Sequence, residues 1–178
     1  MIIITVALFE VLFMFYMKEY YYSMAKSYLE QQVRYTQNSY DSSGMDSTSF
    51  QDKINNILEK EGLNQSSGYG ESSDNFSVAI EIINKNKEVM LDQYGIKTGE
   101  VVNYDDVNKA LTGSQDYNFY IYSISETKDH IMSISVPLKV NNVVEGVVRY
   151  SVSLKKADNA IFRVVCIIFI GGLVILLI

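Results

Sequence analysis

The two ends of the chain are strongly apolar, and this feature constrains the fold more than any other. Residues 1–17 hold one acid, Glu10, and no basic residue, and residues 164–178 hold no charge. A spanning helix needs about 20 mostly apolar residues, because a helix rises about 1.5 Å per residue through a hydrocarbon core about 30 Å thick. Both runs are shorter, yet we predict a transmembrane helix at each end. The second run stops while still apolar, so we expect it to be cut within its span.

The flanks of the first run favour a retained membrane anchor over a cleaved signal peptide. A signal peptide has a basic segment before its apolar core and a cleavage site of small residues after it, and neither is present here. The flanking charges do not fix the orientation of the two spans. Lys155, Lys156 and Arg163, beside the second run, even argue against placing the central region outside the cell.

The central region, residues 18–163, has a length suited to one domain. The chain carries 15 Lys and Arg against 21 Asp and Glu, so no basic surface for nucleic acid is expected. His130 is the only histidine and Cys166 the only cysteine, which excludes an intrachain disulfide and leaves nucleophilic triads and metal sites without the residues they need. We therefore predict no enzyme activity, metal or cofactor in this segment.

Hydrophobic periodicity predicts an α+β fold. Residues 18–38 are expected to form a helix continuous with the first apolar run, and a second helix is expected from Thr48, in capping-box spacing with Gln51, to Gly62. A Ser/Gly-rich loop over 65–75 and a turn at 141–142 are also predicted. We predict strands at 77–83, 88–91, 117–124, 130–140 and 143–154, with helices at 105–111, before Gly113, and at 155–162. This order gives a five-stranded antiparallel sheet with the long helix across one face, as in PAS-like folds.

One strand carries an unexpected cation. Period-two alternation puts Arg149 on the face of its strand opposite Val148 and Tyr150. The guanidinium either holds a carboxylate or phosphate ligand or pairs with a neighbouring acid as a structural link. We predict four candidate ligand-binding residues: Arg149, Tyr120, Tyr122 and Ser133.

Signal transmission is predicted to follow the helices at the two ends of the domain. The candidate residues are Glu10, Leu29, Val33, Leu154 and Ile161. Glu10 either contacts a second helix within the membrane or lies near the membrane edge, because a buried acid costs about 2.5–3.5 kcal/mol there. For His130, we favour an exposed position at a strand end over a role in pH sensing.

Three motifs resemble the single Cache sensor domains of bacterial sensor histidine kinases, chiefly those of Clostridium-like Firmicutes. They are NKALTG at 108–113, SVPL at 135–138 and GVVRYSVSL at 146–154. The N-terminal run is similar too, with Glu10, Phe13 and Phe15 before the three tyrosines at 20–22. The resemblance implies a homodimeric, multi-pass receptor in the cell membrane, with residues 18–163 as its extracytoplasmic Cache (PAS-like) domain.

The same resemblance implies what the domain does and what acts with it. An extracellular ligand or an envelope protein would be sensed, and a cytoplasmic kinase outside this chain would act on a response regulator. The amino-acid motif of double Cache chemoreceptors is absent, so no ligand class carries over. The alternatives are the same module on a chemoreceptor or cyclic-dinucleotide enzyme, and a membrane-anchored binding or adhesion module. A pilin-like subunit fits poorly, because the second apolar run does not belong in a pilin.

Overall fold

The sheet and its helices appear in a computed structural model that describes residues 2–42, 78–92, 96–113, 119–125, 127–140 and 143–177. Within these ranges the elements are α1 (Ile2–Ser42), β1 (Val78–Asn84), β2 (Val89–Asp92), α2 (Asp105–Leu111), β3 (Phe119–Ser123), β4 (His130–Val140), β5 (Val143–Ser153) and α3 (Lys155–Leu177). The strands pair antiparallel in the order β2-β1-β5-β4-β3. The predicted five-stranded antiparallel sheet with an N-terminal helix is confirmed.

One face of the sheet packs against α1. Period-two alternation turns every second residue of β1, β4 and β5 towards this face, where Ile82, Ile134 and Tyr150 are fully buried. From α1, Leu29 and Val33 reach the same cluster one helical turn apart. Burial of each such side chain stabilises the fold by about 1.5–3 kcal/mol. The main core therefore lies between α1 and the sheet.

The helix α3 follows β5 directly and packs against α1. Leu154, at the junction, is fully buried in the main core, and Ile161 is buried about two turns further along α3. Glu10 is half-buried on α1, outside that core. The predicted role of these residues in signal transmission stays a prediction.

The apolar ends lie within α1 and α3, but no described helix combines the length and the hydropathy that a membrane crossing requires. This corrects the spans predicted at 1–17 and 164–178. Charged residues then follow or precede these runs, at Lys18 and Arg163 respectively.

Helix boundaries are less well predicted than strands. The helix at 105–111 is confirmed, and Gly113 beyond it has a φ of 79°, a left-handed conformation that glycine adopts without strain. The helix α1 continues to Ser42 rather than ending near Asn38. The predicted helix at 48–62, the loop at 65–75 and the turn at 141–142 lie outside the described residues. The domain at 18–163 stays a prediction, since α1 and α3 cross both of its limits without interruption.

Candidate functional site

The second face of the sheet is polar at its centre. Glu81 of β1, Arg149 of β5 and Ser135 of β4 lie side by side, because Arg149 is paired in register with both of the others. All three are buried, and so is Ser133, two residues before Ser135. Alternation along each strand turns these side chains away from α1 and towards α2. The face that α2 covers therefore contains a buried polar cluster.

Arg149 holds two carboxylates. Its Nε donates to Asp106 Oδ2 at 3.0 Å, and its Nη1 donates to Glu81 Oε2 at 2.6 Å. The Arg149 side chain is 1% exposed, and those of Glu81 and Asp106 are 4% and 1% exposed. Burial alone would lower the pKa of the Arg149 guanidinium, but the charges of Asp106 and Glu81 outweigh it and raise that pKa. Arg149 is thus a buried cation between two acids.

Asp106 ties α2 to the sheet. It lies in the first turn of the helix, and its Oδ2 accepts hydrogen bonds from Ser133 Oγ at 3.0 Å and Ser135 Oγ at 2.9 Å, besides the one from Arg149. One oxygen of Asp106 therefore fixes the position of α2 against β4 and β5.

A second cation enters from residues 96–104, which we call the covering segment. Lys97 Nζ donates to Glu81 Oε1 at 2.9 Å and to Tyr104 Oη at 3.2 Å. Burial would lower the pKa of Lys97, but the hydrogen bond and charge of Glu81, helped by Tyr104, raise it. Asp92 anchors the start of the segment, since its Oδ2 accepts bonds from the backbone N–H groups of Ile96 and Lys97 at 3.0 and 3.1 Å.

Three tyrosines form an aromatic wall beside the cluster. The Tyr104 ring lies 4.1 Å from Arg149 Cζ, and the Tyr122 ring lies 5.5 Å from it, within the range of cation–π attraction. The Tyr104 and Tyr122 rings stack at 6.2 Å, and those of Tyr120 and Tyr122 stack at 5.9 Å. The rings of Tyr104 and Tyr122 thus lie close to the buried guanidinium.

Among the described residues, two atoms of this network are buried and have no hydrogen-bond partner: Arg149 Nη2, a donor, and Asp106 Oδ1, an acceptor. A third such atom, Asn108 Oδ1, also belongs to α2. Most buried polar atoms in proteins are satisfied, and leaving one unsatisfied costs about 1–3 kcal/mol. Arg149 Nη2 and Asp106 Oδ1 are therefore the atoms of this network that could still form a further hydrogen bond.

All four predicted ligand-binding residues lie on this face: Arg149, Ser133, Tyr120 and Tyr122. Their role in binding stays a prediction. Of the two readings of Arg149, the structure shows the pairing with neighbouring acids. Sequence reasoning missed Glu81, Asp106, Lys97 and Tyr104. Glu81 had a signal of its own, since it interrupts the apolar strand β1 just as Arg149 interrupts β5.

A separate polar contact joins β4 to the two long helices. His130 Nδ1, in a side chain 45% exposed, lies 2.8 Å from Asp158 Oδ2 of α3, and Tyr22 Oη of α1 donates to Asp158 Oδ1 at 3.1 Å. His130 is thus partly exposed at a strand end, as predicted, but it is also paired. Its role in pH sensing stays untested.

This contact predicts a loss of stability at alkaline pH. Burial, then the charge and hydrogen bond of Asp158, raise the pKa of Tyr22 from 10.0 to about 12. The unfolded chain therefore loses the Tyr22 proton first, so the stabilisation is complete below pH 10 and is lost as the pH rises towards 12. We expect urea unfolding to show this fall in the wild type and a smaller fall in Tyr22→Phe. Tyr20→Phe, at an exposed position of the same helix, is the control and should keep the full fall.

No family model and no curated protein matches this chain. Among solved structures, it is similar to the ligand-binding domain of the Campylobacter jejuni chemoreceptor Tlp3 in complex with 4-methylisoleucine. The TM-score is 0.51 and the identity 14%, over 80% of this chain and 58% of that one.

Two further solved structures are less similar. The ligand-binding domain of the amino acid chemoreceptor PctC of Pseudomonas aeruginosa PAO1, in complex with GABA, has a TM-score of 0.46 and 17% identity, over 78% of this chain and 58% of that one. The sensory box sensor histidine kinase of Vibrio cholerae has a TM-score of 0.32 and 14% identity, over 56% of this chain and 90% of that one. This chain thus spans 58% of the length of the Tlp3 domain. Its α+β fold, with a five-stranded antiparallel sheet and an N-terminal helix, is Cache-like.

Proposed function

We propose that this chain is the sensing region of a bacterial signal-transduction receptor and binds a small polar molecule between the sheet, α2 and the covering segment. The observation that carries the proposal is a pair of atoms inside a buried charge network, Arg149 Nη2 and Asp106 Oδ1, for which the described part of the chain offers no hydrogen-bond partner. A donor and an acceptor without partners in the same cluster can be satisfied by one ligand that carries both kinds of group.

The energetics of the network support a binding role over a purely structural one. Buried ion pairs are weak sources of stability, because taking charges out of water costs about as much as their attraction returns. Apolar residues of similar size would hold α2 on the sheet at least as well. Clusters of ionisable groups with shifted pKa values, such as Arg149 and Lys97 here, are typical of functional sites.

The chemistry of the site limits the ligand. A carboxylate or carbonyl oxygen fits Arg149 Nη2, and an ammonium, amide or hydroxyl donor fits Asp106 Oδ1. The tyrosine wall would contact an apolar part of the same molecule. The Tlp3 domain of similar fold is in complex with 4-methylisoleucine, an amino acid that has all three features. Amino acids are therefore the first class to test.

A route for the output follows from the connection between β5 and α3. Arg149 lies on β5, and this strand leads through Leu154 into α3, which packs against α1. If the domain has two conformations that differ in the position of Arg149, a ligand with a higher affinity for one of them would favour that conformation and so shift α3 relative to α1. We propose an extracytoplasmic location, a homodimer, and a histidine kinase output that acts on a response regulator. A chemoreceptor output is the alternative, and the resemblance to Clostridium-like Firmicutes gives the proposed source.

The test is a thermal unfolding screen of the whole chain against three classes of small molecule: amino acids, short carboxylic acids and sugars. A ligand at one hundred times its Kd adds about 2.7 kcal/mol of stability, so a specific ligand should raise the Tm by several degrees. We expect one class to do so in the wild type and not in Arg149→Lys. Lysine keeps the positive charge between Glu81 and Asp106 but lacks the Nη2 donor.

The control is Lys85→Met, which removes a cation from a surface ion pair with Glu145. This variant should keep the full shift in Tm. The proposed function is contradicted if no class raises the Tm of the wild type. It is also contradicted if Arg149→Lys keeps the whole shift, because the ligand would then bind elsewhere.

A further inference from the structure

The buried network contains equal numbers of positive and negative side chains. Arg149 and Lys97 are its cations, Glu81 and Asp106 are its carboxylates, and hydrogen bonds join all four. We infer that Glu81 is a specificity-determining residue, which restricts the site to small polar molecules of zero net charge. The inference rests on the proposed function, because it concerns what the same site accepts.

Glu81 already takes the place that a ligand carboxylate would otherwise fill. One of its oxygens is 2.6 Å from Arg149 Nη1 and the other is 2.9 Å from Lys97 Nζ. An isolated guanidinium binds a carboxylate through two parallel hydrogen bonds. In this site Nε is bound to Asp106 and Nη1 to Glu81, so Nη2 is the guanidinium nitrogen that has no partner among the described residues. A ligand carboxylate could therefore form only part of that pair.

An anionic ligand would also meet like charges. It would lie near the carboxylates of Glu81 and Asp106, both buried, in a cluster whose two cations are already paired. A net charge added to a buried, balanced site lacks a counter-ion and is costly to desolvate. A zwitterion or an uncharged polar molecule leaves the balance unchanged, and its two polar groups match Nη2 and Oδ1.

Glu81 also links the ligand site to the covering segment. Its bond to Lys97 holds the segment over the sheet, and the Lys97 side chain is only 35% exposed. Glu81→Gln keeps the shape of the side chain but leaves the network with one positive charge in excess. Lys97→Met has the opposite effect and leaves one negative charge in excess. The two substitutions should therefore move the preference of the site in opposite directions.

The experiment uses isothermal titration calorimetry on the full chain at pH 7 with three matched pairs of probes: glutamine and glutamate, asparagine and aspartate, and acetamide and acetate. Each pair differs by one negative charge at similar size. We expect the wild type to prefer the neutral member by about tenfold or more, a difference of about 1.4 kcal/mol. In Glu81→Gln that preference should fall by about tenfold, and in Lys97→Met it should rise.

Glu145→Gln is the matched control. Glu145 lies on β5, four residues from Arg149, but it pairs with the exposed Lys85 at 2.9 Å, outside the network. Its removal should leave the preference unchanged. If Glu81→Gln does not fold, Lys97→Met alone decides, because a rise in preference is expected there.

The outcomes separate this inference from the proposed function. Failure of every class in the thermal screen contradicts the proposed function and the inference together. Arg149-dependent binding with the same preference in wild type and Glu81→Gln overturns the inference alone. A wild type that prefers the anionic probes, or that binds short carboxylic acids but no neutral molecule in the screen, overturns it as well.

Discussion

Replacing Arg149 with methionine is expected to lower the free energy of unfolding by about 3–5 kcal/mol, because removing one partner of a buried ion pair leaves uncompensated charge. Here two carboxylates lose their partner at once, since Arg149 binds both Asp106 and Glu81. Lys97 can still neutralise Glu81, to which it is bound at 2.9 Å. Asp106 keeps only the two serine hydroxyls, so most of the loss should arise there.

Urea unfolding at pH 7, followed by circular dichroism, measures this loss. The matched control is Lys155→Met, because Lys155 pairs with Asp129 at 3.1 Å while its side chain is 57% exposed. Surface pairs of this kind contribute about 0–1 kcal/mol. If Arg149→Met lost no more stability than Lys155→Met, the loss of the Arg149 cation would not leave costly uncompensated charge on Asp106 and Glu81.

Replacing Leu29 with alanine is expected to lower the free energy of unfolding by about 2–5 kcal/mol. Leu29 is fully buried where α1 packs on the sheet, and truncation removes its apolar contacts and leaves a cavity. The cavity would lie between α1 and the central strands, so neighbouring side chains could fill it only partly. The loss therefore measures how far α1 is part of the folded domain.

Leu8→Ala, on the same helix, is the control for Leu29→Ala. Leu8 is 62% exposed, and exposed substitutions change stability by no more than about 0.5 kcal/mol. The measurement is again urea unfolding, with the slope of the transition checked for a change in the exposed surface. Equal losses in the two variants would mean that α1 does not cover the sheet in solution.

The strands and α2 could be predicted because their signals are local. Alternation along β4 and β5 and the glycine after α2 are visible within a few residues, and the structure agrees with them. The spans at the two ends were predicted from the apolar composition of the runs, although each run is shorter than a membrane crossing requires. Among the described residues, no helix meets the requirements for such a crossing.

The charge network could not be predicted because its members are distant in sequence. Glu81 and Arg149 are 68 residues apart, and Asp106 and Arg149 are 43 apart. Their contact depends on which residues of β1, β4 and β5 are paired, and on where α2 is placed over the sheet. The place of Lys97 in the network is harder still to predict, since it lies in a segment without hydrophobic periodicity. Only the unusual charges within apolar strands point to such a site.

The register that pairs Glu81 with Arg149 has a consequence for how the chain folds. A slip of one residue between neighbouring strands turns every side chain of the slipped strand to the opposite face. Such a slip in β5 would bury the guanidinium among the apolar side chains under α1, far from both carboxylates. The misaligned sheet would carry an unpaired charge in its main core, which is strongly unfavourable. The network thus makes a one-residue slip of β5 energetically unfavourable.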